Sequence, residues 1–187
     1  EDQVNVSLTG GNDKLQYFAM LDYTDGRGLL QEADRGDYSS QLKFSKANIR
    51  ANMDAQLTPT TKMQVNAVAS FIETNRPNNY DANGLTAMLY QVPASAFPVM
   101  NDPNGELAGV WGGNTTYSTV NPAAQVRASG FLKSHSRSFQ GDVSLKQDLD
   151  FWVEGLSVSG RVGYNNFSEI YESNALGFRY GNQRYSF

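Results

Sequence analysis

The chain has 187 residues, a formal net charge of −4 and no cysteine, and 12% of its residues are aromatic. The absence of cysteine excludes disulfides, thiolate metal sites and cysteine nucleophiles. So many aromatic residues argue against disorder, and a weakly acidic chain gives no reason to expect nucleic acid as a partner.

The sequence contains no run of about 18 apolar residues, which a membrane-spanning helix would need. It begins without methionine or a signal peptide, and Val4, Val6 and Leu8 already alternate with polar residues. We therefore expect a mature or excised piece of a longer protein.

Six segments are predicted as β-strands because apolar and polar residues alternate along them with a period of two. They are residues 3–10, 15–24, 40–58, 62–74, 137–149 and 156–167. The charged residues Arg50, Asp54, Lys146 and Arg161 occupy the face opposite the apolar one, which suits contact with water. The chemistry of the two faces is therefore predicted directly by the sequence.

The connections between the predicted strands alternate between tight turns and long loops. The long loops are predicted at 25–39, at 75–136 and from 168 onward. In an up-and-down antiparallel sheet, alternate connections lie at the same end, so all the tight turns share one end. Outer-membrane barrels have this asymmetry, and their strands need about 9–11 residues to cross the bilayer. We therefore predict that residues 1–187 are one section of an all-β, antiparallel, up-and-down transmembrane β-barrel with one long, partly helical extracellular loop.

The apolar face carries mostly Ala, Val and Met in place of the bulky, interlocking shapes of a packed core, and we expect it to face lipid. The residues predicted to face lipid are Ile49, Ala51, Met53, Ala55, Leu57, Met63, Val65, Ala67, Ala69, Phe71, Val143, Leu145, Val158 and Val162. A soluble β-sandwich or β-helix with one solvated face would show the same alternation. Loops of this length are uncommon in compact domains unless they carry function, which favours the barrel.

Several linked stretches resemble the barrel of SusC/RagA-type TonB-dependent transporters of Bacteroidetes outer membranes. They are "AMLYQVPASAFPVMNDPNGELAG" (87–109), "NPAAQV" (121–126), "SRSFQGDVSLKQDLDFWVEGLSVSGRVGYNN" (136–166), "VNVSLTGGNDKLQYFAMLDYTDGRGLL" (4–30) and "FSKANIRANMDAQLTPTTKM" (44–63). The resemblance covers nearly the whole chain.

This resemblance implies a bacterial outer-membrane location and active import of glycans or peptides through a barrel of about 22 strands. It implies three partners: a SusD-like surface lipoprotein that acts as a lid, the TonB complex, and an N-terminal plug domain that is absent from this chain. Two open sheet edges cannot face lipid, so six strands are expected to be a section of the wall.

The segment "GVWGGNTTY" (109–117) is the candidate for substrate binding. Trp111 and Tyr117 offer flat apolar faces for sugar rings or peptide side chains, and Asn114 offers hydrogen bonds. Tyr80, in "NRPNNY" (75–80), is a further stacking candidate. The alternative is that Trp111 packs against a plug domain or against the helix of its own loop, since so long a loop needs some internal core.

Other candidate sites have weaker sequence support. Asp102, Asn104 and Glu106 could present oxygen ligands to Ca²⁺, but "NDPNGE" equally spells a tight turn. His135 is the only histidine, and the sequence offers no clear orienting carboxylate or oxyanion hole, so we predict no catalytic residue and no enzyme activity. Helical spacing over 83–97, ended by Pro93, predicts a helix in the long loop.

Aromatic residues near the strand ends suggest girdles at the two membrane interfaces. They are Tyr17, Tyr23, Phe71, Phe139, Tyr164, Phe151 and Trp152. In a soluble sheet the same residues would be cross-strand packing pairs. Two rival functions also stay open at this point: a secreted β-sandwich that binds carbohydrate or acts as an adhesin, and a small closed barrel or passenger domain with hydrolase activity.

Overall fold

The computed structural model describes residues 1–30, 38–78, 84–117 and 120–181. Its elements are β1 (Asp2–Gly11), β2 (Leu15–Arg27), β3 (Lys43–Thr58), β4 (Thr61–Pro77), α1 (Gly84–Gln91), β5 (Trp111–Gly112), α2 (Pro122–Ala128), β6 (Gly130–Asp148), β7 (Ser157–Ala175) and β8 (Tyr180–Gly181). Neither α1 nor α2, the helices within these ranges, is long and apolar enough to cross a membrane.

The chain separates into two compact units. The sheet unit comprises Glu1–Gly26, Phe44–Thr74 and Ser134–Ile170, all of which are described. The loop unit comprises Arg27–Lys43, Asn75–Lys133 and Tyr171–Phe187, in which the described residues are those given above.

The six long strands form one sheet in the order β1-β2-β3-β4-β6-β7, so each strand pairs with the long strand that precedes it in the chain. The sheet is mostly antiparallel, and the prediction of an all-β, antiparallel fold is confirmed. In β1 and β2, for example, Val4 lies opposite Tyr23 and Leu8 opposite Ala19.

Several strand ends differ from the prediction, since β2 reaches Arg27 and β3 begins at Lys43, and larger differences follow along the chain. The strand β4 reaches Pro77, β6 begins at Gly130, and β7 continues to Ala175.

The added stretches of β6 and β7 lack regular alternation, since Lys133 and His135 of β6 and Glu172 of β7 lie where the apolar face would continue. Ser134 Oγ nevertheless donates to Glu169 Oε1 at 3.0 Å across the two strands. Backbone N–H and C=O groups still pair there, because the neighbouring strand offers them hydrogen-bond partners whatever the hydropathy of the side chains.

The loop unit has two small cores. In one, Leu85 of α1 packs against Val126 of α2 and Leu30. The other holds buried residues of β5 and α2 with partly buried neighbours, and its members are Trp111, Ala124, Ala128, Ala123, Phe178 and Tyr180. Short strands β5 and β8 pair in parallel beside this second core.

Asn121 fixes the start of α2. Its side-chain oxygen accepts from Ala124 N at 3.1 Å, and Pro122 occupies the first turn, where a missing N–H costs nothing. Asn121 Nδ2 donates to Val99 O at 3.1 Å and to Gly112 O at 2.9 Å. One buried amide therefore ties three segments of the loop unit together.

The helix predicted in the segment 83–97, with its end at Pro93, is present in the structure. The helix α1 ends at Gln91, and a last helical bond runs from Val92 N to Met88 O at 3.1 Å. Pro93 cannot continue this bonding and its ring restricts the residue before it, so the chain turns. The predicted start at position 83 lies outside the described residues.

Candidate functional surfaces and loop sites

The sheet unit has one continuous apolar face. Cross-strand contacts fix the faces, because Asn48 bonds Ser70, and Asn52 bonds Asn66, which places the even positions of β3 and β4 together. The odd positions of these two strands therefore share the other face. The same reasoning through β6 and β7 adds odd residues of β6 and even residues of β7 to that face, as the ring contact between Phe139 and Tyr164 shows.

All fourteen residues predicted to face lipid lie on this apolar face by that register. Residues of β1 and β2 extend it, because Val4, Val6 and Leu8 lie opposite Tyr23, Leu21 and Ala19. What covers the face is not determined by the register, so lipid contact stays a prediction.

Every residue of the sheet unit is described, and none of them is buried. On the apolar face Val6 is 57% exposed, Ile49 is 44% exposed and Leu57 is 53% exposed. A half-buried β-sandwich strand would instead cover its apolar side chains with a second layer. The apolar face is therefore an exposed surface of this chain.

The opposite face carries a hydrogen-bonded chain of side chains across four strands, which we call the polar ladder. Arg50 Nε donates to Asn52 Oδ1 at 3.1 Å, and Asn52 Nδ2 donates to Asn66 Oδ1 at 2.6 Å. Asn66 Nδ2 donates to Asp142 Oδ1 at 3.2 Å, and Arg161 Nε lies 3.6 Å from the same oxygen. The ladder thus runs from the Arg50 guanidinium through two amides to the Asp142 carboxylate, which pairs with Arg161.

The sequence predicts that these side chains share a polar face, but not that they touch. Period-two alternation assigns a face to each strand separately. Contact between Asn66 and Asp142 depends on how β4 pairs with β6 across a connection of more than fifty residues, and no local signal fixes that register.

Two open depressions lie on the polar face. One, of about 310 Å³, is lined by residues of β2, β3 and β4 that include Asp54, Gln56 and Lys62. The other, of about 410 Å³, places Phe18 among Thr9, Asn52 and Asp54. Both offer hydrogen-bonding groups, and the first also combines charges of both signs, which suits polar ligands.

Trp111, the main substrate-binding candidate, lies in the core of the loop unit. Its side chain is 8% exposed, and its ring contacts Phe178 edge-on at 6.5 Å between centroids. The structure therefore favours the alternative interpretation, in which the indole packs within the loop, over a free stacking surface.

Asn114 and Tyr117 are joined by a local turn. Asn114 Oδ1 accepts from Thr116 N at 3.0 Å and from Tyr117 N at 2.8 Å, while its amide donates to Ala96 O at 3.0 Å. Asn114 thus holds the loop, and Tyr117 is partly exposed beside it. Substrate contact by either residue stays a prediction, and Tyr80 lies outside the described residues.

The predicted calcium segment forms a turn. Asp102 Oδ1 accepts from Asn104 N at 2.9 Å, and Gly105 N donates to Asp102 O at 3.1 Å. In the described part of the chain, no three His, Cys, Asp or Glu residues are grouped so that they could hold a metal ion. Calcium binding at Asp102, Asn104 and Glu106 has no structural support.

His135 has a carboxylate neighbour that the sequence did not indicate. Its Nδ1 lies 3.7 Å from Glu73 Oε2 in the adjacent strand, and both side chains are partly exposed. The pair is a long ion pair when the imidazole is protonated, and exposed pairs of this kind contribute little to stability.

Burial perturbs one tyrosine of the loop unit. It raises the pKa of the Tyr180 hydroxyl above its ordinary value, although a hydrogen bond with the Asn121 backbone lowers the pKa in part. Tyr180 also contacts Phe178 edge-on at 5.0 Å between centroids, so its ring belongs to the core that holds Trp111.

No protein-family model matches this chain, and a search of curated proteins gave no match either. The two surfaces of the sheet unit and the sequence stretches quoted above are therefore the features that bear on function.

Proposed function

We propose that this chain is a wall section of a TonB-dependent outer-membrane transporter of the SusC/RagA type. In this proposal the apolar face contacts lipid, and the polar ladder faces a water-filled lumen through which glycans or peptides pass. The chain supplies wall and loops and catalyses no reaction.

One observation carries the proposal: a sheet of six long strands has an apolar face on which none of the described residues of the sheet unit is buried. Burying apolar surface is the main favourable term in folding, and a face of this size left in water would favour aggregation. Lipid covers such a face without requiring complementary shapes, which fits its many small residues.

The polar face supports the same proposal. It is hydrogen-bonded from strand to strand, as in the polar ladder, and it carries charges of both signs. Outer-membrane barrels alternate apolar residues outward with polar residues inward in this way. A soluble sandwich reverses the arrangement, since its apolar side is covered by a second sheet. The rival carbohydrate-binding sandwich therefore has less support.

The edge strands β1 and β7 are consistent with further barrel strands. They are the first and last strands of the six-stranded sheet, so neither has a second neighbouring strand within it. Such edges need pairing within a membrane. In the proposed assembly the rest of the barrel pairs with them, a plug domain fills the lumen and contacts TonB, and a SusD-like lipoprotein acts as the lid.

The absence of native cysteine allows a direct test of the two faces. Val65→Cys and Gln64→Cys are two separate variants with one thiol each. The thiol lies on the apolar face in the first and on the polar face in the second. In outer membranes we expect a charged, water-soluble maleimide to label the Cys at 64 much faster than the Cys at 65. Detergent should remove the difference. Equal labelling in intact membranes would overturn the proposed orientation.

Transport itself needs a second experiment. Uptake of a size series of oligosaccharides and oligopeptides is compared in cells with and without the gene, each with and without a functional TonB system. We expect one of the two classes to lose uptake in both defective strains. Uptake that depends on neither would refute the function while leaving the membrane orientation intact.

A further inference from the structure

The loop unit contains an open depression lined by residues of both helices and of the segments that flank them, called here the apolar depression. Its volume is about 590 Å³, larger than either depression on the polar face of the sheet unit and within the range of about 300–1,000 Å³ that small-ligand sites occupy. Apolar side chains, among them Leu85, Leu89 and Phe97, make up its lining, and the two exceptions among the described lining residues are Asn121 and Arg127.

The walls of the apolar depression are fixed by contacts within the loop unit. Leu85 of α1 packs against Val126 of α2 and against Leu30, and all three side chains line the depression. Ser40 Oγ donates to Val126 O at 2.5 Å and so ties α2 to the segment before β3. The shape of the depression is therefore set by the fold of the loop unit.

The apolar depression is open to solvent. Leu29, Leu89 and Val99 line it and are 99%, 60% and 47% exposed. Removing apolar surface from water is the main favourable term in association, so a ligand that places an apolar group here gains affinity. The open mouth leaves the rest of such a ligand in water.

The lining offers few side-chain donors for a sugar. Asn121 Nδ2 already donates to Val99 O and Gly112 O, and Asn121 Oδ1 accepts from Ala124 N. A sugar ring in the depression would bring hydroxyl groups against Leu, Val, Pro and Phe side chains, and a buried hydroxyl without a partner lowers affinity. The apolar depression therefore disfavours glycans.

Arg127 is the one charged residue among the described residues that line the apolar depression. Its backbone carbonyl accepts from the Tyr38 hydroxyl at 3.0 Å, which holds the last turn of α2 in place. A guanidinium has five N–H donors and matches a carboxylate with two parallel hydrogen bonds, so it can bind a ligand carboxylate while it keeps another contact. A ligand that joins a carboxylate to a bulky apolar group therefore fits the depression in charge and in polarity.

Peptides with an apolar C-terminal residue and fatty acids both have this chemistry. A fatty acid would need an enclosed channel to cover its long chain, since ligand sites bury most of a ligand's surface. A peptide needs only one side chain covered, because its backbone amides are best left in water. The open mouth of the depression thus favours the peptide.

We propose that the apolar depression binds the C-terminal end of an oligopeptide, with the apolar side chain of the last residue in the depression and its carboxylate on the Arg127 guanidinium. This inference deepens the proposed function, on which it rests, by selecting peptides over glycans as the substrate class. The binding step is a property of the loop unit and can be measured without transport.

Calorimetric titration of the protein in phosphatidylcholine nanodiscs tests the proposal with defined probes. The peptide Gly-Ser-Gly-Ser-Phe carries both groups, its C-terminal amide lacks the charge, and Gly-Ser-Gly-Ser-Gly lacks the apolar side chain. We expect each single change to weaken binding about tenfold or more. Absence of binding by the first peptide, equal binding of all three, or tighter binding of maltotriose or octanoate would overturn the proposal.

Substitutions separate the two parts of the site. Arg127→Gln should remove the preference for the free acid over the amide and keep the preference for Phe over Gly. Ala94→Trp adds a large side chain at an exposed lining position and should abolish measurable binding of the Phe peptide. Its matched control, Ser95→Trp, adds the same side chain outside the lining, in the turn closed by Ala96 N and Pro93 O, and should bind as the unmodified chain does. Equal effects of the two Trp substitutions, or an Arg127→Gln variant that still prefers the free acid, would contradict the site.

Uptake separates this inference from the proposed function. TonB-dependent uptake of Gly-Ser-Gly-Ser-Phe that Ala94→Trp lowers and Ser95→Trp leaves unchanged would support both. TonB-dependent uptake of glycans alone, with no peptide binding, would refute the inference and leave the transporter proposal standing. Peptide binding without any TonB-dependent uptake would refute the transporter function and leave the binding site standing.

Discussion

A positive charge in the middle of the apolar face tests what that face contacts. The apolar run Met63–Phe71 of β4 spans nine residues, which is about 31 Å at ~3.4 Å per residue. With a strand tilt of about 40° this run covers roughly 23 Å of membrane thickness, close to the apolar band of about 25 Å in outer-membrane barrels. Ala67 is its centre, and Val65 lies about 5 Å from the midplane by the same estimate.

Val65→Arg should therefore destabilise the inserted protein by about 2–4 kcal/mol, the cost of a cation near the midplane of a barrel wall. This corresponds to roughly a 30-fold to several hundred-fold shift in the folding equilibrium. The matched control is Gln64→Arg, which adds the same side chain to the polar face of the same strand, across from Asp54 in β3. The control should change stability by less than about 1 kcal/mol.

Both variants are measured by guanidinium titration of the protein in lipid vesicles, with insertion followed by flotation. The same pair is then unfolded in detergent-free buffer, where an exposed arginine on either face should cost little. An equal, small effect of the two substitutions in vesicles would refute the assignment of the apolar face to lipid.

Three further predictions concern particular contacts. Asp142→Ala removes the acceptor shared by Asn66 and Arg161 and should cost about 1 kcal/mol in guanidinium unfolding. The control Ser144→Ala, on the same strand and with only a 3.5 Å bond to Gln64, should cost far less, and equal costs would contradict a linked ladder. Gly130→Ala should destabilise the loop unit more than Gly155→Ala destabilises the sheet unit, as measured by hydrogen exchange. Both residues have φ near +80°, but only at Gly130 would a Cβ collide with a backbone carbonyl, that of Asn174. Because burial raises the pKa of Tyr180, its stabilising contribution is complete below the ordinary pKa and is lost as the pH rises above about 10. Tyr180→Phe should flatten that part of the curve of melting temperature against pH, and an unchanged curve would contradict the assignment.

The sequence predicted the strands best where alternation is regular. From Ile49 to Phe71 each apolar residue lies on the face that its position indicates, because a half-exposed strand imposes a period of two. The ends of β6 and β7 were missed because cross-strand hydrogen bonds, such as that from Ser134 to Glu169, extend pairing through residues without that pattern.

The loop sites were harder to predict, since their residues act through distant contacts. Trp111 is flanked by glycines and amides, which suggested an exposed ligand surface, yet Phe178 and α2 cover its ring. Asn121 had no predicted role beyond its place in the stretch "NPAAQV", yet it caps α2. Its two further bonds to Val99 and Gly112 became visible only in the folded loop.

The polar and the apolar face of the sheet unit restrict the choice of side chain in different ways. Without buried residues, this unit has no packed core, so its side-chain specificity comes from polar groups that pair across strands, as Asn52, Asn66 and Asp142 do. The apolar face contributes free energy only when something removes it from water, and its small residues specify no shape for that cover. In the proposed membrane location, a fluid hydrocarbon layer meets this requirement without a complementary shape. We therefore expect substitutions that change polar pairing to alter the register of the sheet, and substitutions that change apolar size to be tolerated unless they add charge.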